Sequence, residues 1–401
     1  MARRNGGFVG QDGLDAPDPP TGITPTAGSE QVSVAFTAPS DVGTSAITGF
    51  VVQVSTDDTA YSAGSNTGTS SPIIVSRLTN DTAATAKVWA INAYGTSAPS
   101  DASASFTPAP PRGLFGLQTI NGSASNTISY VTLTTTGNVT DFGDLTTVRT
   151  NGAACSSTTR GVFMGGGSNV MDYVTIASTG NATDFGDIYF APTQNGSFSN
   201  KTRGLTFGGG GTNTLSYITI ASAGDTTDFG DLSAATIKAS GLASPTRGLR
   251  VGGNSSGITN RMEYVTIANT GNVTDFGDMT IKTEELAACS SETRGLMGGG
   301  LELAGDGSNV WTDVVGYITI ASTGNATDFG DLSSGRRQLG STSSNLRGLF
   351  AGGQQGPSGY AKINTIDYFT IATLGNSTDF GNMTGTNIHS SGCSSDHGGL
   401  Q

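Results

Sequence analysis

Apolar and polar residues alternate in short runs along the whole chain, and no stretch carries the three-to-four spacing of an amphipathic helix. Between Ala16 and Pro108 the runs are QVSVAFTAP, ITGFVVQVS, PIIVSRL, TAKVWAINAYG and SASFTP, separated by clusters of turn-forming residues. Such alternation, rich in β-branched side chains, predicts half-buried strands. About seven strands in this length predict a two-sheet sandwich.

Beyond residue 110 the pattern becomes periodic, with three anchors in each copy. An Arg-Gly pair opens a short apolar run at Arg112, Arg160, Arg203, Arg247, Arg294 and Arg347. A tyrosine lies in a V-T-I-like run at Tyr130, Tyr173, Tyr217, Tyr264, Tyr317 and Tyr368. The phenylalanine of TDFGD or TDFGN stands at Phe142, Phe185, Phe229, Phe276, Phe329 and Phe380. Tyr to Phe is 12 residues in all six copies, and Phe to the next Arg is 18 in the first five. Adding 18 to Phe380 reaches Gly398, within CSSDHGGL, an echo of CSSTTRGV at residues 155–162. Each copy offers four short strands, which in the second are GAACSS (a), RGVFMGG (b), DYVTIAST (c) and TDFGDI (d). Four strands per copy predict the blades of a six-bladed β-propeller entered at strand b. The final GCSS then supplies the missing strand a of the first blade.

All variation in length lies between Arg and Tyr: 18, 13, 14, 17, 23 and 21 residues in copies one to six. That interval holds strand b and the b–c loop. With strands alternating in direction, the b–c and d–a loops share one face, so one face is metrically constant and the other is not. Loops on a rigid scaffold are where recognition concentrates. The two longest read LELAGDGSNVWTDVV and GGQQGPSGYAKINTI. Trp311 and Tyr360 offer aromatic faces there, and Glu302, Asp306, Asp313, Gln354, Gln355 and Lys362 offer acids, amides and a cation. Together they form a candidate carbohydrate-binding set. The alternative is that these side chains pin their own loops or meet a neighbouring subunit.

Three resemblances follow from these residues. AFTAPSDVGTSAITGFVVQVS and RLTNDTAATAKVWAINAYGTSAPS are similar to the B–C and E–F–G segments of fibronectin type III domains. Phe36 stands where that family usually has Trp, and Ala84 where it has its corner tyrosine. The Gly-Gly after strand b, the Tyr of strand c and the aromatic of strand d resemble Kelch repeats over residues 112–401, with Phe for the usual Trp. The succession of an N-terminal arm (1–15), a fibronectin-like module (16–108) and a Gly-Thr-Asn-rich propeller (112–401) resembles virion structural proteins of tailed bacteriophages. That resemblance implies a non-enzymatic component of the tail or fibre, assembled in the host cytoplasm. It implies other virion proteins as partners, symmetric copies on the particle, and host-surface glycan as a possible target. Capsid decoration and a secreted adhesin or lectin are the alternative settings.

Composition narrows the chemistry. The chain has 401 residues, 60 of them glycine, and a net charge of −12. This balance disfavours nucleic acid or an anionic membrane surface as partner. MARRNGG is followed by no apolar run, so it does not read as a secretory leader, and no segment reaches the length of a membrane span. DFG occurs six times without the remaining kinase motifs, and GGGS, GGGG and MGGG precede neither GK[ST] nor a helix pattern. The repeated Asp pairs, such as Asp141/Asp144 and Asp328/Asp331, are too few for a calcium shell. The first Asp of each is expected to accept turn hydrogen bonds or meet a repeat arginine. Cys155, Cys289 and Cys393 occupy one slot in different copies and are expected as buried free thiols. With two histidines, His389 and His397, neither a zinc site nor a hydrolase triad is expected. No cofactor is expected either. The sequons GNVT, GNAT and GNST read as tight c–d turns in which Asn adopts a left-handed backbone.

Overall fold

The computed structural model describes residues 14–303, 308–356 and 360–399, which form antiparallel sheets and, among the described residues, no helix. The chain divides into two compact units, Met1–Pro110 and Pro111–Gln401. Of the arm, residues 1–13 lie outside the described residues.

The first unit has two sheets around one core. One sheet takes the order Thr21–Gly28, Gln31–Thr37, Ile73–Ser76. The other takes the order Gly64–Gly68, Ile47–Ser55, Thr85–Asn92, Gly95–Thr96. Alternation buries Val32, Val34 and Phe36 from the first sheet with Phe50, Val52 and Val54 from the second. Phe36 meets Phe50 with ring centroids 4.7 Å apart.

The run SASFTP departs from the sequence expectation, because only Phe106 pairs, through a bridge to Ala84. The segment before it follows Thr85–Asn92 with a period of three instead of two. The hydroxyls of Ser97, Ser100 and Ser103 accept the N–H groups of Ala90, Val88 and Ala86 at 2.9, 3.0 and 3.0 Å. Each serine N–H also bonds to the same residue's carbonyl. Serine side chains thus complete a ladder along a stretch containing Pro99, which has no N–H to contribute.

The second unit contains six four-stranded antiparallel sheets, each in the order a-b-c-d. The first is assembled from both ends of the unit: Ser391–Ser394 pairs with Arg112–Gly116, placing Cys393 opposite Leu114. Strand a of each sheet touches strand a of the next, from Gly152–Ser156 through Gly196–Ser199, Ser240–Ala243, Ala287–Ser290, Gly340–Ser343 and Ser391–Ser394, and back to Gly152–Ser156. This order of contacts is cyclic.

The repeated residues act at the contacts between sheets. In every copy the c–d register slips by one residue at the DFG phenylalanine; Asp172 opposes Asp184 while Met171 opposes Gly186. The bulge turns Phe185 into the gap between sheets, where it is buried and meets Tyr173 edge-on at 5.9 Å. Phe329 likewise meets Tyr317 at 5.8 Å and Phe369 of the next sheet at 5.6 Å. The glycine after it takes φ between 137° and 150°, and a Cβ on Gly143 would stand 2.3 Å from the carbonyl oxygen of Gly180 in the next copy. DFG is therefore a bulge with a seat for the neighbouring turn.

Two expectations are corrected here. The turn asparagines are not left-handed; Asn181 Oδ1 instead accepts the N–H of Asp144 in the preceding sheet at 3.1 Å. Asn138 does the same for Asn382 at 2.9 Å, joining the last copy to the first. Nor do the repeat arginines meet the Asp pairs, among the described residues. The Arg160 guanidinium lies 4.3 Å from the Tyr173 ring and donates to the Ile220 carbonyl of the next sheet at 2.9 Å. Arg294 repeats this with Tyr317 at 4.7 Å and the Ile371 carbonyl at 2.9 Å. The glycine of each Arg-Gly pair leaves room for the preceding sheet, since a Cβ on Gly204 would lie 2.3 Å from Cys155 Sγ. All three cysteines are free and buried, and burial pushes the Cys289 and Cys393 thiols up to about 12.

Adjacent a strands are further joined by serines. Ser199, Ser156, Ser394, Ser343 and Ser290 each donate through Oγ to a carbonyl of the preceding sheet, at 2.6 to 3.0 Å. Ala243 occupies the sixth equivalent position and leaves one link open. Ala243→Ser is expected to stabilise the unit by about 0.5–1.5 kcal/mol, the net value of one added hydrogen bond. Chemical denaturation reads this, and an unchanged midpoint would mean the slot cannot accept a hydroxyl.

Candidate functional site

The d–a loops converge where the six a strands begin. Nine residues before each Arg-Gly slot stands a polar residue: Asn151, Gln194, Lys238, Glu285, Gln338 and His389. All six are left-handed, with φ between 58° and 62°. Their backbones are chained: the N–H of Gln194 bonds to the Asn151 carbonyl, Lys238 to Gln194, Glu285 to Lys238, Gln338 to Glu285 and His389 to Gln338, at 2.7 to 3.0 Å. Asparagine and glycine enter this conformation most readily. For the other five residues it costs about 1 kcal/mol or more each.

These half-buried residues border one cavity of about 140 Å³, floored by apolar groups such as Ala153, Ala239 and Leu286. Lys238 is 2.7 Å from Glu284 and 3.0 Å from Glu285, and Arg337 is 3.1 Å from Glu285. These charges neutralise one another within the wall. Burial lowers His389 to about 4, opposed by Glu285 and reinforced by Arg337, Lys362 and Lys238, so its ring is neutral at pH 7. The side chains of Asn151, Gln194, Gln338 and His389 make no hydrogen bond among the described residues.

The sequence-derived loop candidates support this wall from outside. Trp311 is only 8% exposed. Arg337 lies 5.2 Å over its ring, Tyr360 meets it edge-on at 5.5 Å, and a Cβ on Gly356 would fall 2.3 Å from the indole. The indole faces are covered, whereas Tyr360 is exposed. Gln354 accepts from Arg337 at 3.0 and 3.1 Å, and Gln355 donates to Ser334 at 2.8 Å. Glu302 is half-buried in a strand, Leu301–Leu303, paired with Thr283–Glu284 and Asn309–Trp311. Lys362 bridges to Gln354, and Asp313 lies near Asp331, whose carboxyl is raised by burial and by Asp313 and Asp328. Asp306 lies outside the described residues. Arg337 thus joins the long loops to the six polar residues, from Trp311 on one side to Glu285 on the other.

Below the cavity a second space of about 70 Å³ is lined by Cys155, Ser156, Cys289, Ser343 and His397 among others. Residues 395–399 cross its far end. A Cβ on Gly398 would stand 1.9 Å from the Ser291 carbonyl oxygen, and one on Gly399 would stand 1.7 Å from that of Ser199. His397 Nδ1 accepts the Gly399 N–H at 3.1 Å, and burial lowers His397 to about 4. Because the unfolded histidine titrates near 6.5, the unfolded chain takes up this proton first on acidification. The stability tied to neutral His397 is complete above about pH 6.5 and is lost as pH falls toward 4, up to roughly 3 kcal/mol. Denaturation midpoints across this range should fall less steeply in His397→Gln, and identical slopes would contradict the burial of this ring.

The six polar residues form a column nine places before Arg-Gly, but they share no common residue type and so make no repeated motif. Comparison with known proteins finds no matching family model and no similar curated protein.

Proposed function

We propose that this chain is a non-enzymatic structural and recognition protein of a tailed-bacteriophage virion, associated with the tail or fibre. In this reading residues 16–108 are a fibronectin type III-like sandwich and residues 112–401 a six-bladed Kelch-like propeller closed by its C-terminal strand. The cyclic contacts of the a strands support the propeller reading, as do the arginine, asparagine and DFG contacts that join the last copy to the first.

One observation carries the functional reading. The repeated residues are consumed in holding sheet to sheet, while the variable loops and the non-repeating polar residues gather on one side. Such a body presents a face for recognition and leaves the N-terminal region for attachment. Mass spectrometry of purified particles tests the setting: the full chain should co-purify with them, and removal of residues 1–108 should abolish incorporation. A chain found only free of particles would overturn the virion reading in favour of an adhesin or lectin.

A further inference from the structure

We infer that the cavity bordered by Asn151, Gln194, Lys238, Glu285, Gln338 and His389 binds one neutral, polyhydroxylated molecule of single-ring size, such as a hexopyranose. The inference deepens the recognition reading of this face and moves its centre from the Trp311 and Tyr360 loops to the point where the six sheets converge.

Four observations lead there. First, the slot needs only a left-handed backbone, which glycine or asparagine would provide most easily. Five of its six residues are instead larger polar ones held against that preference, and backbone strain of this kind gathers at functional positions. Second, the amides of Asn151, Gln194 and Gln338 and the His389 imidazole border the cavity without a hydrogen bond among the described residues. Ser390 Oγ and Asn195 Oδ1, in the same wall, are buried and unpartnered. Amides and a neutral imidazole both donate and accept, which suits hydroxyl groups. Third, the nearby charges already compensate one another through Lys238, Glu284, Glu285 and Arg337. A free ion would have to compete with those pairs, whereas a neutral polyol would not. Fourth, the alanine and leucine floor can cover the C–H face of a sugar, and about 140 Å³ admits one ring but not a drug-sized ligand.

Saturation-transfer NMR and calorimetry on the full chain test this with glucose, galactose, mannose, N-acetylglucosamine and rhamnose, and with glucuronate and inorganic phosphate as anionic probes. At least one neutral sugar should bind. Gln338→Ala and Gln194→Ala should each weaken binding about tenfold or more at an unchanged thermal midpoint. Tyr360→Ala, outside the cavity, should leave it intact, and Gln338→Asn should retain part of it. Binding by none of the neutral sugars, by the anions alone, or equally by wild type and Gln338→Ala would overturn the inference. Because these measurements need no particle, their failure is distinguishable from failure of the virion reading.

Discussion

Gly143→Ala is expected to destabilise the second unit by about 3–5 kcal/mol, combining overpacking with an unfavourable φ. The added methyl would lie 2.3 Å from the Gly180 carbonyl oxygen, at a φ of 146°. Its obstacle is backbone on a neighbouring sheet, so no side chain can turn aside. Gly137→Ala is the control, because a Cβ there meets nothing within 4 Å; it should shift stability by no more than about 0.5 kcal/mol. Trp311 provides the signal in a Trp89→Phe background, since the two tryptophans fall in different units. Equal effects of the two substitutions would remove the role assigned to the DFG glycine.

Asp367→Ala should cost about 3–5 kcal/mol, because it strands the Arg336 guanidinium in the interior. The pair is 3.1 Å apart with side-chain exposures of 0% and 1%. Arg149 with Asp172 repeats the arrangement in the second copy, and Arg250 with Glu263, 3.8 Å apart, is a variant in the fourth. Ser129, Ser216 and Gly316 fill the acidic position in the remaining copies, so the fold does not require a charge there. Accordingly, Arg336→Met combined with Asp367→Leu should lie within about 1–2 kcal/mol of wild type. Urea denaturation of the single and double variants separates the cost of an orphaned charge from the value of the pair. A double variant as unstable as the single would contradict this account.

Strand positions were legible in the sequence because alternation and turn residues are local, and the four-strand copies because their anchors keep constant spacing. What the anchors do was less legible. Asn181 was read through its own turn, yet its partner is the N–H of Asp144 in another sheet. The first Asp of each pair is expected to take turn hydrogen bonds or a repeat arginine, yet Arg160 lies over Tyr173 and donates to the Ile220 carbonyl of the next sheet. Such partners depend on how one sheet packs against the next, which lies beyond the reach of a local pattern. The serine ladder at Ser97, Ser100 and Ser103 was missed because a period of three belongs to neither a strand nor a helix template. At the candidate site, Trp311 was conspicuous as a rare aromatic but is buried beneath Arg337. Gln194, Gln338 and the residues aligned with them were inconspicuous because they share only polarity, position and a left-handed backbone.

Six four-stranded sheets contact one another in cyclic order, and Ser391–Ser394 completes the sheet begun by Arg112–Gly116. Native-state hydrogen exchange on the full chain tests it most directly. The account predicts that backbone amides of these two strands are protected with the same opening free energy as those of the middle sheets, such as Arg203–Phe207 and Arg247–Val251. Exchange of Arg112–Gly116 and Ser391–Ser394 orders of magnitude faster than in the middle sheets would contradict it.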